Sequence, residues 1–194
     1  MKKQLAEMTL EELWELFPII LQEHNPQYSE WYENEKQNIL RNINADNITR
    51  INHIGSSAVD GLISKPTVDI LMEVANGCDI PRLIDDLTII GWGLMKRENE
   101  PMKLTLNKGY TPDGFSDKVY HLHIRYSGDW DELYFRDYLI EHADVANEYG
   151  RLKLALLKDF EHDRDAYTEA KSEFVLRHTE MAKRKFQGKY KPTE

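Results

Sequence analysis

The sequence is poor in cysteine, in positive charge and in long apolar runs, and each shortage excludes a class of protein. Cys78 is the single cysteine of 194 residues, which excludes an intramolecular disulfide and a cysteine zinc cluster. The formal net charge of −9 repels polyanions at long range, so we expect no bulk nucleic-acid binding. No apolar run approaches the ~20 residues of a membrane-spanning helix, and glutamates interrupt any signal-peptide stretch near the N-terminus. We therefore expect a cytoplasmic protein with no membrane partner.

The apolar content and its periodicity indicate one folded domain of mixed type. Hydrophobic residues make up 41% and aromatic residues 10% of the chain, enough for a packed core. Period-two patterns and turn residues predict four strands of one sheet, over 50–54, 67–74, 102–106 and 119–126. Helical spacing predicts helices over 10–17, 29–43, 83–90, 133–140, 145–157 and 164–186. The predicted fold is α+β (mixed α/β): one domain over 1–194, with a head at 1–126 and a packed helical tail at 127–188.

A glycine–serine turn follows the first predicted strand, and a carboxylate lies on the second. Gly55 and Ser56 come directly after the first strand, where free backbone N–H groups, with Ser57 beside them, can cradle phosphate oxygens. Asp69 stands twelve positions beyond Ser57 and can hold the divalent cation that neutralises the same phosphates. Together the turn, the strand and the aspartate predict a nucleotide phosphate site.

Two histidines on the fourth predicted strand are candidates for a metal site. Alternation places His121, His123 and Arg125 on one face of the strand, while Leu122 and Ile124 face the core. One carboxylate with two imidazoles favours a transition metal such as Mn²⁺ or Zn²⁺, and imidazole can instead transfer a proton near neutral pH. The alternative is that both histidines line a solvated face of the sheet and hold no ligand.

Residues 53–70, HIGSSAVDGLISKPTVDI, resemble the signature of the GrpB family. Further matching motifs follow in the family's order: His121-Leu122-His123, Phe135-Arg136-Asp137-Tyr138-Leu139, Glu148-Tyr149-Gly150-Arg151-Leu152-Lys153, and Tyr167 with Lys171. The resemblance spans roughly residues 20 to 182. The family is similar to the polymerase-β-like nucleotidyltransferases. This implies a nucleotidyltransferase-like mixed sheet, Mg²⁺ or Mn²⁺ as cofactor and a nucleoside triphosphate as substrate.

One position departs from the nucleotidyltransferase pattern, which places a second carboxylate two residues after the first. Leu71 occupies that position. Glu73 shares the strand face, but its backbone lies about 13 Å from that of Asp69, too far for both carboxylates to bind one ion at about 2.0–2.6 Å. Glu73 is therefore interpreted as a polar residue at the edge of the sheet. His123 is predicted to fill the location of the third carboxylate, beside Asp69.

Four cationic residues are candidates for phosphate binding, and each also has a structural interpretation. Lys65 precedes the second predicted strand, and Lys153 and Lys171 each stand four residues after a tyrosine on a predicted helix. The alternative for these lysines is a surface position or packing along an aromatic ring. Arg136 is predicted either to bind phosphate or to form a salt bridge with Asp137. Four histidines that stand singly among charged residues are predicted to be exposed: His24, His142, His162 and His178.

These residues support two main hypotheses of function. The first is a metal-dependent nucleotidyltransferase that moves a nucleoside monophosphate from a triphosphate to an unknown hydroxyl acceptor. In it, Asp69, His121 and His123 are the catalytic residues, and Asp69 and His123 bind the metal. The second is a non-catalytic nucleotide-binding or sensor module, which Leu71 favours. A metal-dependent phosphohydrolase that uses the two histidines is a third hypothesis.

Overall fold

A computed structural model describes residues 3–192 of the chain. Its strands are β1 Ile48–Ile54, β2 Thr67–Val74, β3 Gly93–Asn99, β4 Met102–Thr111 and β5 Gly114–Tyr126. Its α-helices are α1 Leu10–Leu16, α2 Tyr28–Asn42, α3 Ile80–Ile89, α4 Asp131–Glu141, α5 Ala143–Phe160, α6 Arg164–Glu169 and α7 Ser172–Phe186. The strands form one sheet in the order β1-β2-β5-β4-β3. In it β2 and β5 pair in parallel, and the other neighbours pair antiparallel.

The main hydrophobic core lies on the sheet face that α2 and α3 cover. Ile70 and Met72 of β2 are fully buried there and belong to one apolar cluster with Ile39 of α2 and Leu83 of α3. Asp79 caps the N-terminus of α3 through a side-chain hydrogen bond to a backbone N–H. Full burial of such apolar side chains contributes about 1.5–3 kcal/mol each, so this face stabilises the sheet and leaves the other face available for a site.

The opposite face of the sheet buries an acidic residue. Glu73 of β2 is 1% exposed. Its carboxylate accepts one hydrogen bond from Arg50 at 2.6 Å and another from the backbone N–H of Gly128 at 3.0 Å. The interpretation of Glu73 as an edge residue is therefore wrong, because β2 is an internal strand and the carboxylate is held in a buried ion pair. Removing Arg50 would leave this charge unpaired, at a cost of about 3–5 kcal/mol.

The tail helices pack on this second face, and the chain beyond α7 joins them to β1. Leu71 of the sheet shares a small apolar cluster with Leu133 of α4. The hydroxyl of Tyr190 donates to the carboxylate of Asp137, and the backbone carbonyl of Tyr190 accepts a hydrogen bond from Arg50 at 3.2 Å. These three residues, Arg50, Asp137 and Tyr190, form a clasp that holds α4 against the head.

The predicted fold class is confirmed, because the sheet is mixed and contains all four predicted strands. The sequence prediction missed β3. This edge strand is exposed along nearly its whole length and lacks the apolar alternation that indicates a strand. The helix predicted over 164–186 is instead two helices, α6 and α7, which meet at Ala170 and Lys171. None of the helices between residues 3 and 192 combines the length and apolarity that a bilayer crossing needs.

The four histidines predicted to be exposed occupy different environments. The prediction is confirmed for His162, which is exposed, and is wrong for His24 and His142, which are partly buried. His178 is buried in α7, where its ring nitrogen Nδ1 lies 2.9 Å from the carbonyl of Phe174 in the preceding turn. The prediction is wrong for His178 because the charged neighbours in the sequence lie on the outer face of α7 while the histidine lies on its inner face.

Candidate functional site

The turn after β1 brings the backbone against Asp69. Gly55 has a φ of +71°, and a Cβ placed on it would lie 2.5 Å from the Oδ2 atom of Asp69. Only glycine fits at this position, because any other residue is strained at this φ and its Cβ collides with the carboxylate. Ser56 then begins a short 3₁₀ turn, Ser56–Ala58. The glycine–serine turn therefore lies directly beside the aspartate that is predicted to bind the metal.

Parallel pairing of β2 with β5 brings one carboxylate and two imidazoles together. Asp69 is paired with His121, and Leu71 is paired with His123, so these side chains share the sheet face that the tail covers. The Oδ1 atom of Asp69 is 3.0 Å from Nδ1 of His121 and 3.8 Å from Nε2 of His123. One ligand atom from each of the three residues lies within 4.8 Å of the others. We refer to these three residues as the Asp–His–His cluster.

The Asp–His–His cluster fits a divalent metal ion in spacing and in donor chemistry. Two adjacent ligand atoms of an ion bound at about 2.1 Å lie roughly 3 Å apart; Asp69 lies 3.0 Å from His121 and 3.8 Å from His123. Two imidazole nitrogens with one carboxylate oxygen suit Mn²⁺, Fe²⁺ or Zn²⁺ better than Mg²⁺, which prefers oxygen. Among residues 3–192, it is the one group of histidine, cysteine and acidic side chains with this spacing.

The surroundings of Asp69 keep its carboxylate ionised. Burial alone raises the pKa, but hydrogen bonds and positive charge from His121 and His123 outweigh burial and hold the pKa well below the usual aspartate range. A metal binds the ionised form of a carboxylate. Asp69 therefore needs no change of protonation at neutral pH in order to act as a ligand.

A second hydrogen bond fixes the ring of His121. Its Nε2 atom lies 2.8 Å from the hydroxyl of Tyr110 on β4, and that hydroxyl accepts a hydrogen bond from Arg164 of α6 at 3.1 Å. The partner of one ring nitrogen decides how the other nitrogen can serve a metal or a proton. Nothing in the sequence marks Tyr110 or Arg164 for this role, because strand register and the position of α6 bring them here.

A polar cavity of about 200 Å³ opens beside the cluster. The Nζ atom of Lys153 is buried and donates to the Ser56 hydroxyl at 2.9 Å and to a backbone carbonyl. The Nζ atoms of Lys65 and Lys171 lie 5.1 Å and 4.2 Å from the centre of the Tyr167 ring. All three candidate lysines thus surround one space, which we refer to as the lysine cavity. It is also lined by Leu21, Gly55, Ser57, Ser64, Thr67, Asp69, His121 and Tyr149.

Burial, and for two of the lysines neighbouring positive charge, disfavours the charged form of the three lysines. The pKa of Lys65 is lowered to about 7, first by burial and then by the neighbouring charges of Arg164 and Lys171. Burial and the other two lysines lower the pKa of Lys153 to about 7. Burial lowers the pKa of Lys171 to about 8. A bound anion favours the charged form of each lysine, so the electrostatics of the cavity select a negatively charged ligand.

A larger cleft of about 790 Å³ adjoins the lysine cavity. Both spaces share the lining residues Gly55, Ser56, Asp69, Tyr149 and Lys171. The apolar wall of the cleft is formed by Ile54, Trp130, Phe135, Val175 and Leu176. Asp69 therefore stands between a small cationic space and a large, mostly apolar one.

Two residues predicted to bind phosphate are engaged elsewhere. Ser57 is buried with its hydroxyl 3.1 Å from Nε2 of His53, although it still borders the lysine cavity. Arg136 borders neither space: it donates to Oδ1 of Asp137 at 2.7 and 2.9 Å and to the carbonyl of His53 at 2.8 Å. The salt-bridge alternative therefore replaces the phosphate-binding role of Arg136, because its guanidinium is committed to joining α4 to β1.

These features define the class of protein. It is an α+β protein in which a carboxylate–imidazole cluster lies between a cationic cavity and an apolar cleft. The family model described as GrpB protein matches residues 18–181. The chain therefore belongs to the GrpB family, and the prediction from its signature over 53–70 is confirmed.

Individual relatives agree with this membership. The glutamate-rich protein GrpB of Alkalihalophilus pseudofirmus is 30% identical over 81% of this chain and 91% of its own length. A UPF0157 protein of Pseudomonas aeruginosa is 37% identical over 66% of this chain and 52% of its own length, so the match spans about half of that relative. The crystal structure of conserved protein GrpB from Enterococcus faecalis is similar with a TM-score of 0.75 and 27% identity, over 86% of this chain and 99% of that one.

Proposed function

We propose that this protein is a metal-dependent nucleotidyltransferase that moves a nucleoside monophosphate from a nucleoside triphosphate to a hydroxyl acceptor. The observation that carries the proposal is the position of the Asp–His–His cluster, which adjoins both the turn at Gly55 and the lysine cavity. A polyphosphate needs cations to neutralise it, and a divalent ion bound to such a cluster lowers the energy of phosphate chemistry. The lysine cavity can hold the polyphosphate, and the adjacent Asp–His–His cluster can hold the divalent ion.

The proposed reaction is a substitution at the α-phosphorus of the triphosphate. The acceptor hydroxyl oxygen forms a bond to phosphorus, and the bond from phosphorus to the β-bridging oxygen breaks. Inorganic pyrophosphate leaves with that electron pair, and the hydroxyl proton is released to water. Mg²⁺ or Mn²⁺ on Asp69 and His123 would supply neutralisation of the charge on the phosphate oxygens.

The chain's own groups have separate tasks in this reaction. Gly55 has no side chain, so the backbone of the turn can approach phosphate oxygens closely and offer them the N–H of Ser56. The three lysines attract the diphosphate that becomes the leaving group. His121, held by Tyr110, orients the carboxylate of Asp69. The adjoining cleft has the volume for a nucleoside and an acceptor.

Leu71 favours a second candidate, a nucleotide-binding or sensor module without turnover. Its side chain is fully buried in an apolar cluster, at the strand position where nucleotidyltransferases carry a second carboxylate. Phosphate binding through backbone donors and lysines does not need that carboxylate. Turnover does need a rigid coordination shell, because it depends on charge that develops in the transition state. Binding and turnover are therefore measured separately.

Calorimetry with nucleoside triphosphates and an assay of pyrophosphate release, with Mn²⁺ or Mg²⁺, test the proposal. We expect the wild type to bind triphosphate with a free energy of about −4 to −8 kcal/mol and to release pyrophosphate when an accepted alcohol is present. Asp69→Asn should abolish release and retain part of the nucleotide affinity, because the lysine cavity is preserved. Asp85→Asn is the matched control, since Asp85 is exposed on α3 at the opposite sheet face.

The outcomes separate the candidates. Triphosphate binding by the wild type without any release would favour the sensor module and contradict the transferase. Release of orthophosphate in place of pyrophosphate would indicate a phosphohydrolase. If the wild type bound no triphosphate, with or without metal, both the transferase and the sensor module would be refuted.

A further inference from the structure

Two residues that line the lysine cavity carry buried hydroxyl groups with no hydrogen-bond partner among residues 3–192. Ser64 is 2% exposed and Tyr167 is fully buried, and neither side-chain oxygen is paired. Both residues line the lysine cavity. Unpaired buried hydroxyls are rare in folded proteins, because each has given up its hydrogen bonds to water. Two such hydroxyls, on residues that line one cavity, lack the hydrogen-bond acceptors that buried hydroxyls usually have.

The cations around these hydroxyls define the charge of that ligand. The ammonium groups of Lys65 and Lys171 lie over the ring of Tyr167. Lys153 donates two hydrogen bonds to the protein, and its charged form has a third N–H for a ligand. Against these three ammonium groups, the lining contains one carboxylate, that of Asp69. The cavity therefore offers hydroxyl and ammonium donors together, the groups that bind phosphate oxygens.

The size of the cavity limits the ligand to a small polyanion. A volume of about 200 Å³ corresponds to roughly six or seven waters of the liquid. This is room for two linked phosphate groups and too little for a nucleoside with its sugar. Larger parts of a ligand have space only in the adjoining cleft of about 790 Å³, beyond Asp69.

We propose that the lysine cavity is a diphosphate receptor in which the hydroxyls of Ser64 and Tyr167 donate hydrogen bonds to phosphate oxygens. The diphosphate is either the terminal pair of phosphates of a nucleoside triphosphate or free inorganic pyrophosphate, which present the same chemistry to this site. This assignment rests on the proposed function, because that function is what supplies the diphosphate. It adds two hydroxyl donors, those of Ser64 and Tyr167, to the three lysines.

Calorimetric titration with sodium pyrophosphate, in the presence of a chelator, separates binding in the lysine cavity from any contribution of a metal ion at the Asp–His–His cluster. We expect the wild type to bind pyrophosphate, and Tyr167→Phe and Ser64→Ala each to bind it about 10-fold more weakly, the effect of losing one hydrogen bond to a charged group. Tyr120→Phe and Ser116→Ala remove hydroxyls outside the cavity and should bind as the wild type does. Thermal unfolding checks that each variant is folded. Loss of an unpaired hydroxyl should leave the melting temperature no lower than that of the wild type.

A second titration with ATP distinguishes the two sources of diphosphate. Weaker binding of both ligands by the two variants assigns the receptor to the terminal phosphates of a triphosphate. Weaker binding of pyrophosphate alone assigns it to the free anion. The assignment is overturned if the wild type binds no pyrophosphate, or if both variants bind it as tightly as the wild type.

Failure of the receptor and failure of the transferase give different results. Pyrophosphate binding that depends on Tyr167 and Ser64, without any transfer from triphosphates, supports the receptor and contradicts the transferase. Metal-dependent transfer that is insensitive to both substitutions, with unchanged pyrophosphate affinity, supports the transferase and overturns the receptor.

Discussion

At the scale of single residues, two glycines form a matched pair for measuring how closely the turn approaches Asp69. Gly55 and Gly61 have φ values of +71° and +74°, but only a Cβ on Gly55 would collide with the carboxylate, while one on Gly61 meets nothing within 4 Å. We expect Gly61→Ala to lower the free energy of unfolding by about 1–2 kcal/mol through backbone strain alone. Gly55→Ala should lower it by about 3 kcal/mol or more, because the turn must also move away from Asp69.

Urea unfolding of the two glycine variants measures this difference, and calorimetry with Mn²⁺ measures its effect on the site. Gly55→Ala should weaken Mn²⁺ binding, because displacement of the turn or of Asp69 disturbs the Asp–His–His cluster. Gly61→Ala should bind Mn²⁺ as the wild type does. Equal losses of stability together with equal Mn²⁺ affinity would contradict the close approach of the turn to the carboxylate.

At the scale of elements, three separate segments hold one imidazole. His121 lies on β5, its partner Tyr110 lies on β4, and Arg164, which binds the Tyr110 hydroxyl, begins α6. Tyr110→Phe retains the ring that packs on Phe17 at 4.8 Å but removes the partner of Nε2. We expect this substitution to weaken Mn²⁺ binding by about 10–100-fold, the usual effect of losing a group that orients a metal ligand. Electron paramagnetic resonance of free Mn²⁺ measures the affinity.

Tyr120→Phe is the control for this experiment. Tyr120 immediately precedes His121 on β5, so its side chain lies on the opposite face of the sheet, in the main core. Its substitution removes a hydroxyl on the other side of the sheet and should leave Mn²⁺ affinity unchanged. If Tyr110→Phe and Tyr120→Phe bound Mn²⁺ equally well, the hydrogen bond to His121 would have no orienting role.

The same elements show how far a sequence pattern determines a site. Alternation along 119–126 places His121 and His123 on one face, and this local pattern is readable because the intervening residues are apolar. The pairing of Asp69 with His121 is not local, since β3 and β4 separate the two strands in sequence while the sheet makes them neighbours. Tyr110 joins the site through tertiary packing alone, so no spacing in the sequence indicates it.

The burial of Glu73 shows the limit of reading charge from sequence. A glutamate near the end of a predicted strand is typical of an exposed position. Here a distant residue, Arg50, pairs with it across neighbouring strands. Such a pairing depends on the order of the strands in the sheet, and the periodicity of apolar residues does not indicate that order. The fold class is therefore predictable from local pattern, whereas the partners of polar groups require the assembled sheet.

At the scale of the whole molecule, a chain of net charge −9 encloses a cationic cavity between head and tail. Lys65 comes from the loop before β2, Lys153 from α5 and Lys171 from the junction of α6 and α7, and Arg164 and Asp69 are the other charges that act on them. Their lowered pKa values of about 7, 7 and 8 mean that they lose charge above neutral pH. We expect pyrophosphate affinity, measured by calorimetry, to fall steadily between about pH 7 and pH 9.

The stability of the ligand-free protein should change with pH in the opposite direction. Because the folded-state pKa values of the lysines lie below the usual 10.5, the unfolded chain binds more protons between about pH 7 and pH 10. Their contribution to the free energy of unfolding therefore rises with pH across this window. Lys171→Met should reduce both pH dependences, whereas Lys158→Met, at an exposed position of α5, should not. Profiles identical in the two variants would contradict this account of the cavity.

The clasp formed by Arg50, Asp137 and Tyr190 joins residues that are 140 positions apart. A growing chain leaves the ribosome N-terminus first, so β1 and β2 are available long before Tyr190 has been made. The sheet face that carries Asp69 consequently remains uncovered through most of synthesis, and the order of translation imposes an order of assembly. The strands that carry the Asp–His–His cluster come first and the lysines of the tail come next. A nascent chain that has just passed Lys171 already contains every residue of both sites, yet lacks the contact that fixes α4 to β1.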